Sequence, residues 1–486
     1  MQIFKNGALA SAAAIVLVGC SLQPLYQRPA APVAAFYPTG EGYGTARPAS
    51  ASLPPASETG WRDILTDKRL QQLVEIALRN NRDLRVAVLN VVKVQAQYRI
   101  HRSDMFPQLS VYGQGSKSRT PGTLEQSGKP LVVHSATAGL SVAWEVDLFG
   151  RLQSLTDAAF EQYMASAHAR QAAEILLVSQ VASQYLATLS SDERLVVTRD
   201  TLDAATNALA IVQRRFEVGT ASDLDVSQAQ TLVEQAKGNE AEQLRLKAQA
   251  LNALVLLIGE PMPLTLAPST PLSEQAIRDD VPAGLPSDLL TRRPDILEAE
   301  ALLRAENADI GAARAAFFPR IALTGSFGLA SSTLGGLFDG GSGAWAFVPS
   351  LAAPIFDAGS NRANLDVAKV SKDVGIAQYE KAIQTAFREV ADGLAARVTF
   401  NDQLVAALRL ADAQSRRVRI AQVRFETGLD GYLNVLTAQT DLYNAQLALV
   451  SVRLSRLESL VDLYRSLGGG WVQDTGEMRA VASELR

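Results

Sequence analysis

Cysteine is almost absent from this chain, with Cys20 alone among 486 residues. It has no partner for an intramolecular disulfide, so the fold must rest on packing. Histidine is nearly as scarce. His101, His134 and His168 occur without an H-E-x-x-H sequence or a Cys/His cluster, so no metal site is expected. Neither a G-x-S-x-G elbow nor a Walker A loop is found, and no pair of carboxylates stands out as an acid and a base. The chain is therefore not expected to be an enzyme or to hold a cofactor. An excess of charge is lacking too. The formal net charge is −4, which is no footprint for nucleic acid. After residue 20 no run approaches 18 continuous apolar residues, so any membrane spanning must be done by strands. Proline is missing from residues 151–217 and 360–426, which leaves two stretches of 67 positions free to be helical.

The first 20 residues carry one charge, Lys5, then an apolar stretch from Ala8 to Val18 that ends in Leu17-Val18-Gly19-Cys20. This is the build of a secretory signal, too short to span a bilayer as a helix. A cysteine directly after Leu-Val-Gly looks like a bacterial lipobox, in which it is acylated and becomes the first residue. The residue that follows, Ser21, is not acidic, which in lipoproteins implies passage to the outer membrane. Residues 21–66 are rich in Pro, Ala, Ser and Gly and read as an extended tether with Trp61 as the only large anchor.

The rest of the chain is written twice. Asn81-Arg82-Asp83-Leu84 and Met105-Phe106-Pro107 return as Arg293-Pro294-Asp295-Ile296 and Phe317-Phe318-Pro319, 212 positions later. Arg215-Phe216-Glu217-Val218-Gly219 returns as Arg424-Phe425-Glu426-Thr427-Gly428, 209 positions later. The offset changes because turn-rich segments 118–134 and 330–343 differ by three residues. We expect two repeats, 67–258 and 287–467, joined by a Pro-rich linker, 259–286, and followed by a mobile tail, 468–486.

Each repeat reads helix, strand, loop, strand, long helix, sharp turn, returning helix. Strands are expected at about 107–117, 135–146, 320–329 and 344–355. The clearest is the alternation of Ala136, Ala138, Leu140, Val142, Trp144 and Val146 with small or polar residues. Period two with one apolar face suits a half-buried sheet or a lipid-facing barrel, and a membrane strand needs about 9–11 residues. The two long helices would each run for about 100 Å. Leu202, Ala205, Leu209, Val212 and Phe216 have coiled-coil spacing, and the returning helices are expected at about 222–258 and 430–466, the second with a heptad-like row through Leu436, Thr440, Tyr443, Leu447, Val450, Leu454, Leu457, Val461 and Tyr464. Glycines 219 and 428 sit where a helix C-cap belongs, and Ser222-x-x-Asp225 has the form of a capping box.

Four strands cannot close a membrane barrel, and an open edge in lipid leaves backbone groups unsatisfied. Several chains must therefore contribute, eight strands from a dimer or twelve from a trimer. A conduit continuing into long helices favours three. Trp144-Glu145-Val146-Asp147-Leu148-Phe149-Gly150-Arg151, Phe356-Asp357-Ala358-Gly359, the paired Phe-Glu-x-x-Gly turns and Leu463-Tyr464-Arg465-Ser466-Leu467-Gly468-Gly469-Gly470-Trp471 resemble the TolC-like outer-membrane efflux channels, nearest to their lipid-anchored OprM/NodT-type branch. The resemblance covers nearly the whole mature chain. It implies a mainly α fold with a small β part: a long α-helical coiled-coil barrel continued by a transmembrane β-barrel built from four strands per chain. It also implies a homotrimer in the outer membrane, whose helix tips meet a periplasmic adaptor that joins them to an inner-membrane pump. Rival readings are a channel for protein secretion and a lipid-anchored periplasmic coiled-coil scaffold.

Candidate sites follow from the two turns. Val218, Gly219, Thr220, Ser222 and Asp225, with Thr427, Gly428 and Leu429, form the expected adaptor-docking tip; the same residues also serve as helix caps. In relatives the positions after the second turn narrow the tunnel, often with acidic rings. Here Asn434 and Thr437 stand where many relatives have aspartate, so an ionic lock is not expected through them. Asp430, Leu433, Asn434 and Thr437 are the constriction candidates, with Leu433 either an apolar gate or part of a coiled-coil core.

Overall fold

A computed structural model describes residues 21–43, 55–278, 284 and 286–475. The signal and acylation readings at Cys20, and the last 11 residues of the tail, lie outside the described residues. After a helical turn at Trp61–Ile64, the order is α1 (Lys68–Asn80), α2 (Arg82–Ser103), β1 (Gln108–Thr120), β2 (Leu131–Val146), α3 (Arg151–Glu217) and α4 (Asp223–Ile258). The second half repeats it with α5 (Pro286–Arg292), α6 (Pro294–Ala315), β3 (Arg320–Ser331), β4 (Gly343–Ala352), α7 (Ser360–Glu426) and α8 (Tyr432–Ser466). The fold is thus mainly α with a small four-stranded sheet. The two proline-free stretches are continuous helices of 67 residues each.

The chain forms two compact units, and each draws on both repeats. One comprises the described residues up to Ala30, Asn90–Ala167 and Glu298–Tyr379. It contains the antiparallel sheet, ordered β1-β2-β3-β4. Register aligns Val111, Leu140, Phe327 and Trp345 in one row across all four strands. All four are exposed, from Leu140 at 44% to Val111 at 82%. The neighbouring row of Ser110, Ser141, Ser326 and Ala346 is small and polar, and Ser110 and Ser141 share a 2.7 Å hydrogen bond. Apolar and small polar rows on opposite faces follow from the period-two pattern. In the same unit, buried Ala158 of α3 packs with Ala305 and Ala308 of α6, small residues that let two helices approach closely.

The strands differ at their ends from the expectation. β2 begins at Leu131 and β1 reaches Thr120, so the first loop is 121–130 and not 118–134. Leu131-Val132-Val133 is a continuous apolar run, which breaks the alternation and hides strand from a period-two reading, although β-branched residues favour it. The second loop contracts likewise to 332–342, and β4 stops at Ala352 instead of 355. Pro354 lacks the N–H that a longer ladder would need.

The other unit comprises 31–89, 168–297 and 380 onward, again among described residues. Its core gathers Trp61, Ile64, Leu70, Leu73, Val74, Val181, Leu186, Ile258, Leu460 and Tyr464. Asp67 caps α1 by accepting from the Leu70 N–H at 2.9 Å, and its other oxygen accepts from Gln275 of the linker at 2.6 Å. The linker is fixed further by a bridge between Leu65 and Ile277. The tail does not start out mobile, as expected from position 468. Val472 is buried, its carbonyl accepts from the Trp61 N–H at 3.0 Å, and Thr475 Oγ1 accepts from the Gly60 N–H at 2.9 Å. The tether too has more than Trp61 to hold it, since Tyr37 stacks on Phe387 with ring centroids 5.3 Å apart.

The heptad row expected on α8 reaches the core in its C-terminal half, where Val450, Leu457, Val461 and Tyr464 are buried. At the N-terminal end of α8 the core is instead Tyr432, Val435 and Ala438, with Val212 of α3, Ala229 of α4, and Val418 and Ala421 of α7. Leu436 lies at the edge of this cluster, only partly buried. A helix flanked by three others buries a wide i, i+3 stripe rather than a narrow two-helix seam.

Candidate functional site

The two helix reversals lie side by side in the second unit. α3 ends with Gly219 at φ +81, and α7 with Gly428 at φ +75. In each, the glycine N–H and the next N–H turn back onto the last helical carbonyls. Gly219 N donates to Phe216 O at 2.9 Å and Thr220 N to Arg215 O at 2.8 Å; Gly428 N donates to Phe425 O at 3.0 Å and Leu429 N to Arg424 O at 2.8 Å. This is the Schellman arrangement, which requires the left-handed backbone that glycine adopts without strain. Val218, Gly219, Thr220, Thr427, Gly428 and Leu429 are all exposed.

The next few residues differ between the turns. Ser222 opens α4 with the full capping box: its Oγ accepts from Asp225 N at 3.2 Å, and Asp225 Oδ2 accepts from Ser222 N at 2.9 Å. Gly431 opens α8 without any side-chain cap. There Asp430 accepts from Arg424 Nε at 2.6 Å and Nη2 at 3.1 Å. The Arg424 hydrogen bond holds the Asp430 carboxyl below its ordinary range. Arg215, which corresponds to Arg424, reaches across instead. It donates to the carbonyls of Phe425 at 3.0 Å and Glu426 at 2.9 Å, with its guanidinium 4.6 Å above the Phe425 ring. Phe425 in turn meets Tyr432 edge-on at 5.3 Å, and burial pushes the Tyr432 phenol up to about 12.

Of the constriction candidates, Leu433 is 56% exposed, so it is not in the coiled-coil core of its own chain. Asn434 and Thr437 are exposed beside it, and Thr437 Oγ1 is turned back onto the Leu433 carbonyl at 2.9 Å. Asp430 is committed to Arg424 and only partly exposed. Sequence reasoning missed Leu224, the repeat-1 counterpart of Leu433, which is 65% exposed. The 209-residue offset applied to Leu433 would have found it; Arg215 and Arg424 were seen as a repeated pair, but not as the residues that bind the tips. Among the described residues, no group of His, Cys, Asp or Glu is gathered to hold a metal ion, and no helix is long and apolar enough to cross a membrane.

An outer membrane efflux protein profile matches residues 73–260 and 285–469, the two repeats in turn. The chain belongs to the outer membrane efflux protein family. It is 48% identical over 472 residues to the probable efflux pump outer membrane protein TtgC of Pseudomonas putida, covering 97% of this chain and 96% of that one. To the outer membrane protein OprJ of Pseudomonas aeruginosa it is 45% identical over 466 residues, covering 96% of each. Among solved structures, the open state of the Neisseria gonorrhoeae MtrE outer membrane channel superposes with a TM-score of 0.83 at 38% identity, over 94% of this chain and all of that one. This outer membrane efflux protein is accordingly a channel component of the outer membrane and not an enzyme. The TolC-like resemblance drawn from its duplicated motifs agrees with the family match.

Proposed function

We propose that this chain works as a homotrimer that closes three four-stranded sheets into one twelve-stranded barrel, as the outer-membrane conduit of a tripartite efflux system. The observation that carries the reading is the sheet itself. Its edges, β1 and β4, have no partner strand among the described residues, and its outward row is apolar. Unpaired edges cannot stand in lipid, so further copies must supply the missing ladders. In this reading Cys20 carries lipid in the outer membrane. The loops at 121–130 and 332–342 face the exterior. The tips around Gly219 and Gly428 meet a periplasmic adaptor, which couples the conduit to an energised inner-membrane pump. Leu433, with Asn434 and Thr437 beside it, lines the narrow end, where apolar side chains gate by dewetting.

Planar-bilayer recording of the purified full-length protein tests this. Wild type is expected to insert as a mostly closed pore, and Leu433→Ser to raise basal conductance by wetting a ring of three positions. No conductance from any preparation would overturn the channel reading. An unchanged Leu433→Ser pore would remove Leu433 from the gate.

A further inference from the structure

We infer that the apolar face of the β1–β2 hairpin ends in a binding site for the phosphate groups of an outer-leaflet glycolipid, built from Lys117, Arg119 and Lys129 with His134 beside them. The inference rests on the reading of the sheet as part of a membrane barrel. On β1 the residues that share a face with Leu109 and Val111 are Gly113, Gly115, Lys117 and Arg119. On β2 the register sets Val142 opposite Leu109, Leu140 opposite Val111, and His134 opposite Lys117. One face thus runs from apolar residues to cations. Lys129 follows in the 121–130 loop. All four residues are exposed, and none of their side chains makes a hydrogen bond or ion pair among the described residues. Between residues 113 and 138 the only acid is Glu125. The same rows of the second hairpin, residues 329–343, hold no cation and one acid, Asp339.

Height places these cations at a headgroup level. From Trp144 back to His134, β2 covers about 34 Å along the strand. At the tilt of about 35–45° found in membrane barrels, that is about 24–28 Å along the membrane normal, which matches an apolar band of about 25 Å. The residues between them on this face, Val142, Leu140, Ala138 and Ala136, carry no charge. A cation on the lipid face is costly at mid-membrane and nearly free at the interface, where its stem lies along apolar surface and its head reaches out. Lipid-borne phosphate stands at that level and accepts charge-assisted hydrogen bonds from Lys and Arg. The hairpin also overhangs its neighbours. β3 ends opposite Ala136, and β4 ends opposite Leu329, which itself pairs with Ala138. Beyond those rows β2 has no third strand beside it among the described residues, so a bulky headgroup has room at Lys117 and His134.

Titration of fluorescent lipid A, an acylated and doubly phosphorylated glucosamine disaccharide, onto the purified full-length protein in non-ionic detergent tests the site. Wild type is expected to bind it more tightly than the monophosphoryl form. The triple variant Lys117→Gln, Arg119→Gln, Lys129→Gln is expected to bind roughly tenfold more weakly and to lose that preference, while Lys117→Arg with Arg119→Lys keeps both. Equal affinities in wild type and the triple variant would overturn the site. So would displacement of the lipid by inorganic phosphate at equal concentration, which marks a plain anion site. A triple variant that no longer runs as a trimer on a non-denaturing gel would make the cations subunit contacts and overturn it too. Planar-bilayer recording of the same wild-type protein separates this from the membrane reading. Protein that conducts but shows no preference for the second phosphate loses the site and keeps the channel; protein that conducts in no preparation loses both.

Discussion

The two helix tips descend from one sequence and now hold themselves together by different means. Their backbones agree, with glycine at φ +81 and +75 and the same pair of reversing hydrogen bonds. Their side chains do not. Ser222 and Asp225, which box the start of α4, correspond to Gly431 and Asn434, which cannot. Ala221 corresponds to Asp430, and that added carboxylate captures Arg424. Its counterpart Arg215, having no such partner, spans to the carbonyls of the other tip. The first tip is thus held by a local capping box that pairs Ser222 with the Asp225 carboxylate, and the second by a partly exposed ion pair and by its neighbour. A tip held by a partly exposed ion pair is the more easily loosened, so on the proposed gating the second is where opening is expected.

The largest expected effect tests what the tips share. Gly219→Val and Gly428→Val each force a β-branched residue into the left-handed region, at a cost of about 1–2 kcal/mol. Neither site has an atom within 4 Å of an added Cβ, so the cost is backbone strain alone and should be equal at the two. Both variants should lower adaptor-dependent export while leaving the trimer intact on a non-denaturing gel. A large difference between them would break the equivalence of the tips.

Next comes the bridge between them. Arg215→Ala removes two hydrogen bonds to helix-end carbonyls and a guanidinium stacked on Phe425, a loss of about 1 kcal/mol after allowance for exposure. Hydrogen exchange should show faster opening of 424–432 than of 215–223, although the mutation lies in the first tip. The cap is worth the same or less. Ser222→Ala should cost about 1 kcal/mol and Ser222→Gly only a few tenths, whereas Gly431→Ser, at φ −75 and ψ 159, should stabilise the second tip by about 0.5 kcal/mol. If Gly431→Ser stabilises nothing, the missing cap is not what distinguishes the tips.

Much of this was readable in the sequence, for physical reasons. Two 67-residue helices were legible because proline was absent and glycine stood at each end, and both observed helices stop two residues before that glycine. Strand identity was legible from alternation, but strand ends were not, because Leu131-Val132-Val133 obeys β propensity while breaking period two. The reversals themselves were legible through Gly219, Gly428 and the Ser222 box. Their wiring was not. Arg215 and Arg424 share a motif and take different partners, and only the three-dimensional neighbourhood decides which carbonyl or carboxylate is within reach. The ion pair of Arg28 with Glu300 was hidden for the same reason: the two are 272 positions apart, and a Pro/Ala-rich segment gives no periodic signal of where it docks.

The smallest effect separates the tips by acidity. Hydrogen bonding and charge from Arg424 depress the Asp430 carboxyl in the folded chain. Its folded value lies below the unfolded one of about 3.9, so what the pair contributes is complete above about pH 4 and drains away as pH falls further through the folded value. Between pH 4 and 6 basal conductance should therefore be flat, since Asn434 and Thr437 cannot titrate. Below about pH 4 the second tip should loosen while the first, whose Arg215 bonds only carbonyls, keeps its bridge. Because the pair is exposed, roughly 1 M salt should mimic part of the acid effect at neutral pH by screening it. Asp430→Asn should do so without either, and should flatten the acid response when hydrogen exchange of 424–432 is followed from pH 7 to 3. A steep change between pH 4 and 6 would instead assign control of the pore to some other carboxylate, and would end the claim that the second tip is loosened through Asp430.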